Sequence, residues 1–261
     1  MPHEINHIFL SYSREDAELM RRIRSILKDN KLKTWTDEQL MLGTLNREEA
    51  IQKALEEADV LVAILSPDAK TSKEVASEIN YAYVHRLDIY ALLARGDYTT
   101  AVPPKLDDSE LIDITDSDKF QTGMQKLVLN LLMREQLRLL ADSIPTAYFM
   151  GIISVDGLRI ASYIPKGVKS IRKSSEEDWV SAMSAAMLGL GERVVSELRG
   201  GLYKFGVLKG DAGTIFSVVL GEEYVLTFGA REVKSLDSIL VILQQGCQPL
   251  LKMLEVPTPK I

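Results

Sequence analysis

The first half of the chain alternates short apolar runs with segments whose apolar residues recur at helical spacing. The run HIFLS (7–11) predicts a strand, and Leu19, Ile23, Ile26 and Leu27 then follow the 3.6-residue period of an amphipathic helix. DVLVAILSP (59–67) is continuously apolar and predicts a buried strand. Further strands are expected at 32–35, 88–94 and 111–115, and further helices at 47–58 and around Glu78. This alternation predicts an α/β unit with a doubly wound parallel sheet.

The order of elements changes after about residue 133. A helix ending near Asp142 precedes two strands around Val155-Asp156-Gly157, where Asp-Gly is a strong hairpin signal. A long helix (176–198), three strands (201–209, 213–221 and 223–230) and a last helix (236–254) follow. Hairpins around a long helix predict an α+β unit with an antiparallel sheet and flanking helices. We therefore expect two domains, residues 1–132 and 133–256.

Composition and charge narrow the classes of partner. Hydrophobic residues make up 46% of the 261 residues and charged residues 26%, as in ordinary globular proteins. Residues 1–133 carry 16 Lys and Arg against 23 Asp and Glu, and residues 134–261 carry 15 against 14. An acidic half repels phosphate backbones and the other half has no basic stripe, so we expect no nucleic acid partner. The sequence has neither a long apolar run nor a signal peptide pattern, which predicts a cytoplasmic protein without a membrane partner.

The cysteine and histidine residues of the chain provide few candidate metal ligands. Cys247 is the single cysteine, within an apolar helical pattern that predicts a buried thiol. The histidines His3, His7 and His85 are scattered along the chain. We expect no metal site, no intramolecular disulfide and no bound cofactor.

The predicted parallel sheet indicates where a ligand would bind. Ligands of such sheets lie outside the carboxyl ends of the strands, where this chain carries SYSRED (11–16), WTDEQLMLG (35–43) and SPDAKTSKE (66–74). Ser13 and Asp16 in the first segment have the spacing of a capping box at a helix start. The chain contains neither GxGxxG nor GxxxxGK[ST], which argues against a classical dinucleotide fold and a P-loop enzyme.

These segments, in this order, resemble a Toll/interleukin-1 receptor (TIR) domain of the bacterial type over residues 5–130. The resemblance rests on the SYS turn, the Trp-x-Asp at Trp35, the loop glycine Gly43 and a Ser-x-x-Val-x-x-Glu helix. It implies a flavodoxin-like fold with a doubly wound parallel five-stranded sheet. It also implies one of two functions. Some members are scaffolds that self-associate through TIR–TIR contacts, and others cleave the N-glycosidic bond of NAD and release nicotinamide.

The enzymes of the TIR family carry Ser-x-Trp-(Cys/Val)-x-x-Glu on their third helix. By this resemblance Glu78 is the catalytic residue and Ser72 is the serine of the motif, with NAD as substrate rather than as cofactor. Glu74 stands where the family has tryptophan, on the same helix face as Glu78, where two like charges repel. On their residues alone, Glu78 can equally be a solvated helix residue and Ser72 a helix cap.

The other residues expected to bind NAD lie at the ends of the first two strands. They are Ser11, Tyr12, Trp35 and Asp37. Tyr12 and Trp35 would supply aromatic surface, although a tryptophan that closes a strand can also be core packing.

The second half resembles the roadblock/dynein light-chain family through VDGLRIAS (155–162) and YVLTFGAREVKSLDSIL (224–240). The resemblance implies a five-stranded sheet, homodimers formed through the central helix and the strand after it, and binding of small Ras-like GTPases. The central helix fits this role with an apolar stripe at helical spacing: Trp179, Met183, Ala186, Met187, Leu190 and Val194. This stripe either covers its own sheet or, as we expect, pairs with a second copy.

Together the two resemblances predict a prokaryotic signalling protein. Its TIR domain would be an NAD(+) hydrolase, its roadblock-like domain a homodimerisation device, and its role defence against infection. The alternatives are a non-catalytic TIR scaffold for protein–protein interaction and a partner or regulator of a small Ras-like GTPase.

Overall fold

A computed structural model of the chain describes residues 5–40, 46–106, 111–165, 168, 174–233 and 235–255. The chain divides into two units between Leu129 and Asn130. This division falls inside a long helix, Ser117–Asp142, three residues before the boundary expected from the sequence. The loop glycine Gly43 lies outside the described residues.

The N-terminal unit is built around a parallel sheet. Its described strands are β1 (Ile5–Ser11), β2 (Leu32–Trp35), β3 (Val60–Leu65), β4 (Asp88–Leu93) and β5 (Leu111–Asp113), in the order β2-β1-β3-β4-β5. Its helices are α1 (Ala17–Asp29), α2 (Arg47–Glu57), α3 (Pro67–Thr71), α4 (Lys73–His85), α5 (Tyr98–Ala101) and the start of α6 (Ser117–Asp142). All described neighbours in the sheet pair in parallel, which confirms the predicted doubly wound five-stranded sheet.

The core of this unit forms because β3 lies at the centre of the sheet. All six of its residues, Val60–Leu65, are buried, as its continuous apolar run predicts. Helix α4 packs with Val75, Ile79 and Ala82 against the same core cluster. This spacing of three to four residues places Glu78 beside the buried stripe, at the margin of the core.

The C-terminal unit has an antiparallel sheet. Its described strands are β6 (Ala147–Ser154), β7 (Arg159–Tyr163), β8 (Phe205–Lys209), β9 (Thr214–Leu220) and β10 (Tyr224–Ala230), in the order β7-β6-β10-β9-β8. Its helices α7 (Ser174–Glu197) and α8 (Leu236–Glu255) follow β7 and β10. The expected α+β architecture is confirmed, and the predicted Asp-Gly turn joins β6 to β7 with Gly157 at a φ of +85°.

The two faces of α7 differ in character. Ser181, Ser184 and Leu188 are buried, at a spacing of three to four residues. Met183, Leu190 and Val194 of the predicted stripe are exposed, so these residues do not cover the sheet of their own unit. The side chain of Trp179 lies outside the described residues.

None of the helices that the structure describes is both long and apolar enough to cross a bilayer.

Candidate functional site

The carboxyl end of β1 meets helix α4 through a hydrogen bond between Ser11 and Glu78. β1 pairs with β2 on one side and β3 on the other, and the Ser11 side chain at its end is buried. The hydroxyl of Ser11 donates to Oε2 of Glu78 at 2.5 Å. The half-buried Glu78 therefore points toward the strand ends, where the fold predicts a ligand.

The pKa of the Glu78 carboxyl is raised toward neutral pH. Burial raises the pKa of its carboxyl to about 7, and the hydrogen bond from Ser11 partly opposes this rise. The negative charges of Asp37 and Glu74 raise the pKa further, whereas Arg47 lowers it. A carboxyl with a strongly perturbed pKa at the ends of parallel strands is a candidate functional group.

A second group of hydrogen-bonded side chains lies beside the Ser11–Glu78 pair. The phenol of Tyr12 donates to Oδ1 of Asp37 at 2.6 Å, and the guanidinium of Arg47 pairs with Oδ2 of the same carboxylate. Burial, followed by the hydrogen bond to Asp37, raises the pKa of Tyr12 above its usual range. Four of the predicted site residues, Ser11, Tyr12, Asp37 and Glu78, therefore lie together.

The sequence analysis did not identify Arg47 as a site residue, although the chain carries a signal for it. Arg47 is the first residue of α2, and a cation at the positive end of a helix is unfavourable unless a carboxylate compensates it. Asp37 supplies that carboxylate.

Glu74 lies one turn before Glu78 on α4, and Ser72 is the residue that precedes this helix. The hydroxyl of Ser72 caps the helix by accepting from the Val75 amide at 3.3 Å, and it donates to Glu74 at 3.0 Å. The backbone amide of Glu74 and then the Ser72 hydroxyl lower the pKa of Glu74. Ser72 therefore has a structural role at the helix start, and its contact with NAD stays a prediction.

Trp35 is held on the core side of the strand end. Its ring stacks on Phe9, with centroids 5.0 Å apart, and packs against the core cluster. The ring is half-buried, so its proposed contact with a ligand stays a prediction.

The predicted capping box at Ser13 and Asp16 is wrong. Neither side chain makes a helix-capping hydrogen bond, and Asp16 instead points into the unit. Its carboxylate accepts from the hydroxyl of Ser66 at 2.5 Å and from two nitrogens of Arg95. A buried carboxylate is stabilised when a cation and a hydroxyl both bind it. The partners of Asp16 are far from it in the sequence, so local residue spacing does not predict them.

Within the described ranges, no three His, Cys, Asp or Glu side chains are grouped so that they could hold a metal ion.

Comparison with known proteins assigns the N-terminal unit. Residues 8–128 match the family model of the TIR domain. No curated protein matches the chain.

Several solved structures are each similar to slightly less than half of the chain. Myxococcus xanthus MglB is 12% identical over 49% of this chain and 91% of that chain, with a TM-score of 0.42. The Roadblock/LC7 domain from Streptomyces avermitilis is 15% identical over 47% and 98%, with a TM-score of 0.42. The gliding protein MglB from Thermus thermophilus is 16% identical over 46% and 87%, with a TM-score of 0.41.

Residues 8–128 of this chain thus match the TIR domain family, and a C-terminal unit with an antiparallel five-stranded sheet follows them.

Proposed function

We propose that the chain is an NAD(+) hydrolase in which the carboxylate of Glu78 stabilises the transition state of nicotinamide release. The observation that carries this proposal is the position of Glu78. It is half-buried at the carboxyl end of β1, bonded to Ser11, with a pKa of about 7. Most helix glutamates are solvated, and Glu78 departs from that pattern.

The chemistry needs one fixed negative charge. Cleavage breaks the bond between C1 of the ribose and the pyridinium nitrogen of nicotinamide, and the bond electrons pass to that nitrogen. Positive charge develops on the ribose, and a carboxylate beside it lowers the energy of this oxocarbenium-like state. Water then adds to C1 and loses a proton, so the products are nicotinamide, ADP-ribose and one proton.

Pairing of two chains through the C-terminal unit is the second part of the proposal. α7 exposes Met183, Leu190 and Val194 to 57%, 65% and 47%, which is unusual for residues of this size on one helix. The segment after α7 continues the apolar surface with Leu202 and Phe205, and β8 is the edge strand of the described sheet. A second copy of this chain would cover both the helix face and the strand edge.

The experiment is nicotinamide release from NAD by the purified full-length protein at concentrations that favour pairing. The variants are Glu78→Gln, which keeps the shape and removes the charge, and Glu74→Gln as the matched control one turn earlier on α4. We expect release by the wild-type protein and by Glu74→Gln, and none by Glu78→Gln. Equal release by all three proteins would contradict the role of Glu78. No release by any of them would favour a non-catalytic TIR scaffold.

A further inference from the structure

Ser11 is buried at the end of β1, an inner strand of the parallel sheet. Its strand lies between two paired neighbours, and its side chain is 1% exposed. A buried hydroxyl needs a hydrogen-bond partner, and here that partner is Oε2 of Glu78. The distance of 2.5 Å is at the short end of the range for O–H···O hydrogen bonds.

The surroundings of Glu78 offer little else to hold its charged form. The charges of Asp37 and Glu74 disfavour the anion, and Arg47, which favours it, is already paired with Asp37. Among the residues that the structure describes, Ser11 makes the one hydrogen bond to the Glu78 side chain, and it reaches only Oε2. Ser11 therefore distinguishes the two oxygens of this carboxylate.

We propose that Ser11 is a positioning residue that fixes Oε2 of Glu78 and so presents Oε1, as an anion, to the ribose of the substrate. This inference rests on the proposed hydrolase function for its substrate, but its structural part concerns two residues of the chain. It gives Ser11 a role through Glu78 rather than through direct binding of NAD.

If Ser11 positions Glu78, removal of the Ser11 hydroxyl should disturb both the orientation and the ionisation of the Glu78 carboxylate. Without the hydroxyl, the Glu78 side chain can rotate and two carboxylates still face it, so its pKa rises from about 7. A rise of roughly one unit is expected from the loss of one hydrogen bond to a charged group. Nicotinamide release would then need a higher pH, and the turnover number would fall more than the affinity for NAD.

The test uses full-length protein labelled with ¹³C in its carboxyl groups. The Glu78 signal is assigned by its loss in Glu78→Gln, and its pKa is followed by NMR titration in parallel with the pH profile of nicotinamide release. Ser11→Ala removes the hydroxyl, and Ser11→Cys keeps the size with a weaker donor in case the alanine variant does not fold. Ser13→Ala is the matched control, because Ser13 lies two residues after Ser11, is also buried and makes no capping bond.

We expect Ser11→Ala and Ser11→Cys to raise the Glu78 pKa and to shift the pH profile of release upward by the same amount. Ser13→Ala should leave both unchanged. An unchanged Glu78 pKa in the Ser11 variants would overturn the positioning role. If no variant releases nicotinamide but the pKa shift is present, the positioning of Glu78 stands and the hydrolase proposal fails.

Discussion

Arg95 and Asp16, 79 positions apart in the chain, form an ion pair with Nη2 2.7 Å and Nε 3.0 Å from the same carboxylate oxygen. The Asp16 side chain is 2% exposed, whereas half of Arg95 is open to solvent. Arg95 also reaches Asp68 at 2.6 Å, and Ser66 donates to the other oxygen of Asp16. The pair therefore ties the loop that follows Ser11 to the segments after β3 and β4.

We predict that Arg95→Ala lowers the free energy of unfolding of the TIR unit by about 2 kcal/mol, because it leaves the buried Asp16 carboxylate with only its hydrogen bond from Ser66. Denaturant unfolding of the full-length protein measures this change. Arg21→Ala is the comparison, since it breaks an ion pair with Glu38 in which Arg21 is largely exposed. Arg21→Ala should lower the free energy of unfolding much less than Arg95→Ala. Equal decreases would mean that the burial of Asp16 does not determine how much stability is lost.

Glu78 should also make stability depend on pH. Its folded-state pKa of about 7 lies above the ordinary value of 4.5, so folding favours the protonated form. This stabilising contribution is complete below pH 4.5 and is lost as pH rises through 7. Glu78→Gln should therefore gain on the order of 2 kcal/mol relative to the wild type at pH 8, and nothing at pH 4. Thermal unfolding at both values measures this, and the same difference at both would contradict the raised pKa.

The exposed face of α7 predicts an effect on pairing. Leu190→Glu places a charge in the middle of the apolar surface and should convert a dimer to a monomer in light scattering. Ser196→Glu is the control on the exposed surface of the same helix and should leave the mass unchanged. A Leu190→Glu protein that remains dimeric would exclude this helix face from the interface.

Cys247 should react slowly with thiol reagents in the folded protein. The side chain is 5% exposed, and burial raises the pKa of the thiol to about 11, so very little thiolate forms at pH 8. We expect alkylation by iodoacetamide to be at least ~10-fold slower than in urea, as followed by mass spectrometry. Equal rates would mean that α8 opens readily around Cys247.

Much of the fold could be predicted from the sequence because its signals are local. The apolar run of β3 and the Asp-Gly turn at Gly157 each determine an element within a few residues. The stripe on α7 was also visible, but the sequence left open whether it faced its own sheet. Burial of Ser181 and Ser184 on the other face resolves this for Met183, Leu190 and Val194.

The candidate site was predictable in part. The family motif predicted Glu78 as the catalytic residue, which stays a prediction, and the rule for parallel sheets predicted that Ser11, Tyr12 and Asp37 lie at the same edge. The pairings of Asp37 with Arg47 and of Asp16 with Arg95 were not predicted, because each joins side chains through space and neither spacing follows a local period. For Asp16 the capping-box spacing predicted a helix cap, but its side chain pairs with the distant Arg95 instead.

The measurement that tests the central claim most directly is the rate of nicotinamide release by Glu78→Gln relative to wild type, at pH 8 and equal protein concentration. At this pH most of the wild-type Glu78 is ionised, given its pKa of about 7. The account predicts a loss of at least ~100-fold, on the scale of removing one electrostatic stabiliser of a transition state. A Glu78→Gln protein that releases nicotinamide at the wild-type rate would show that this carboxylate is not the catalytic group.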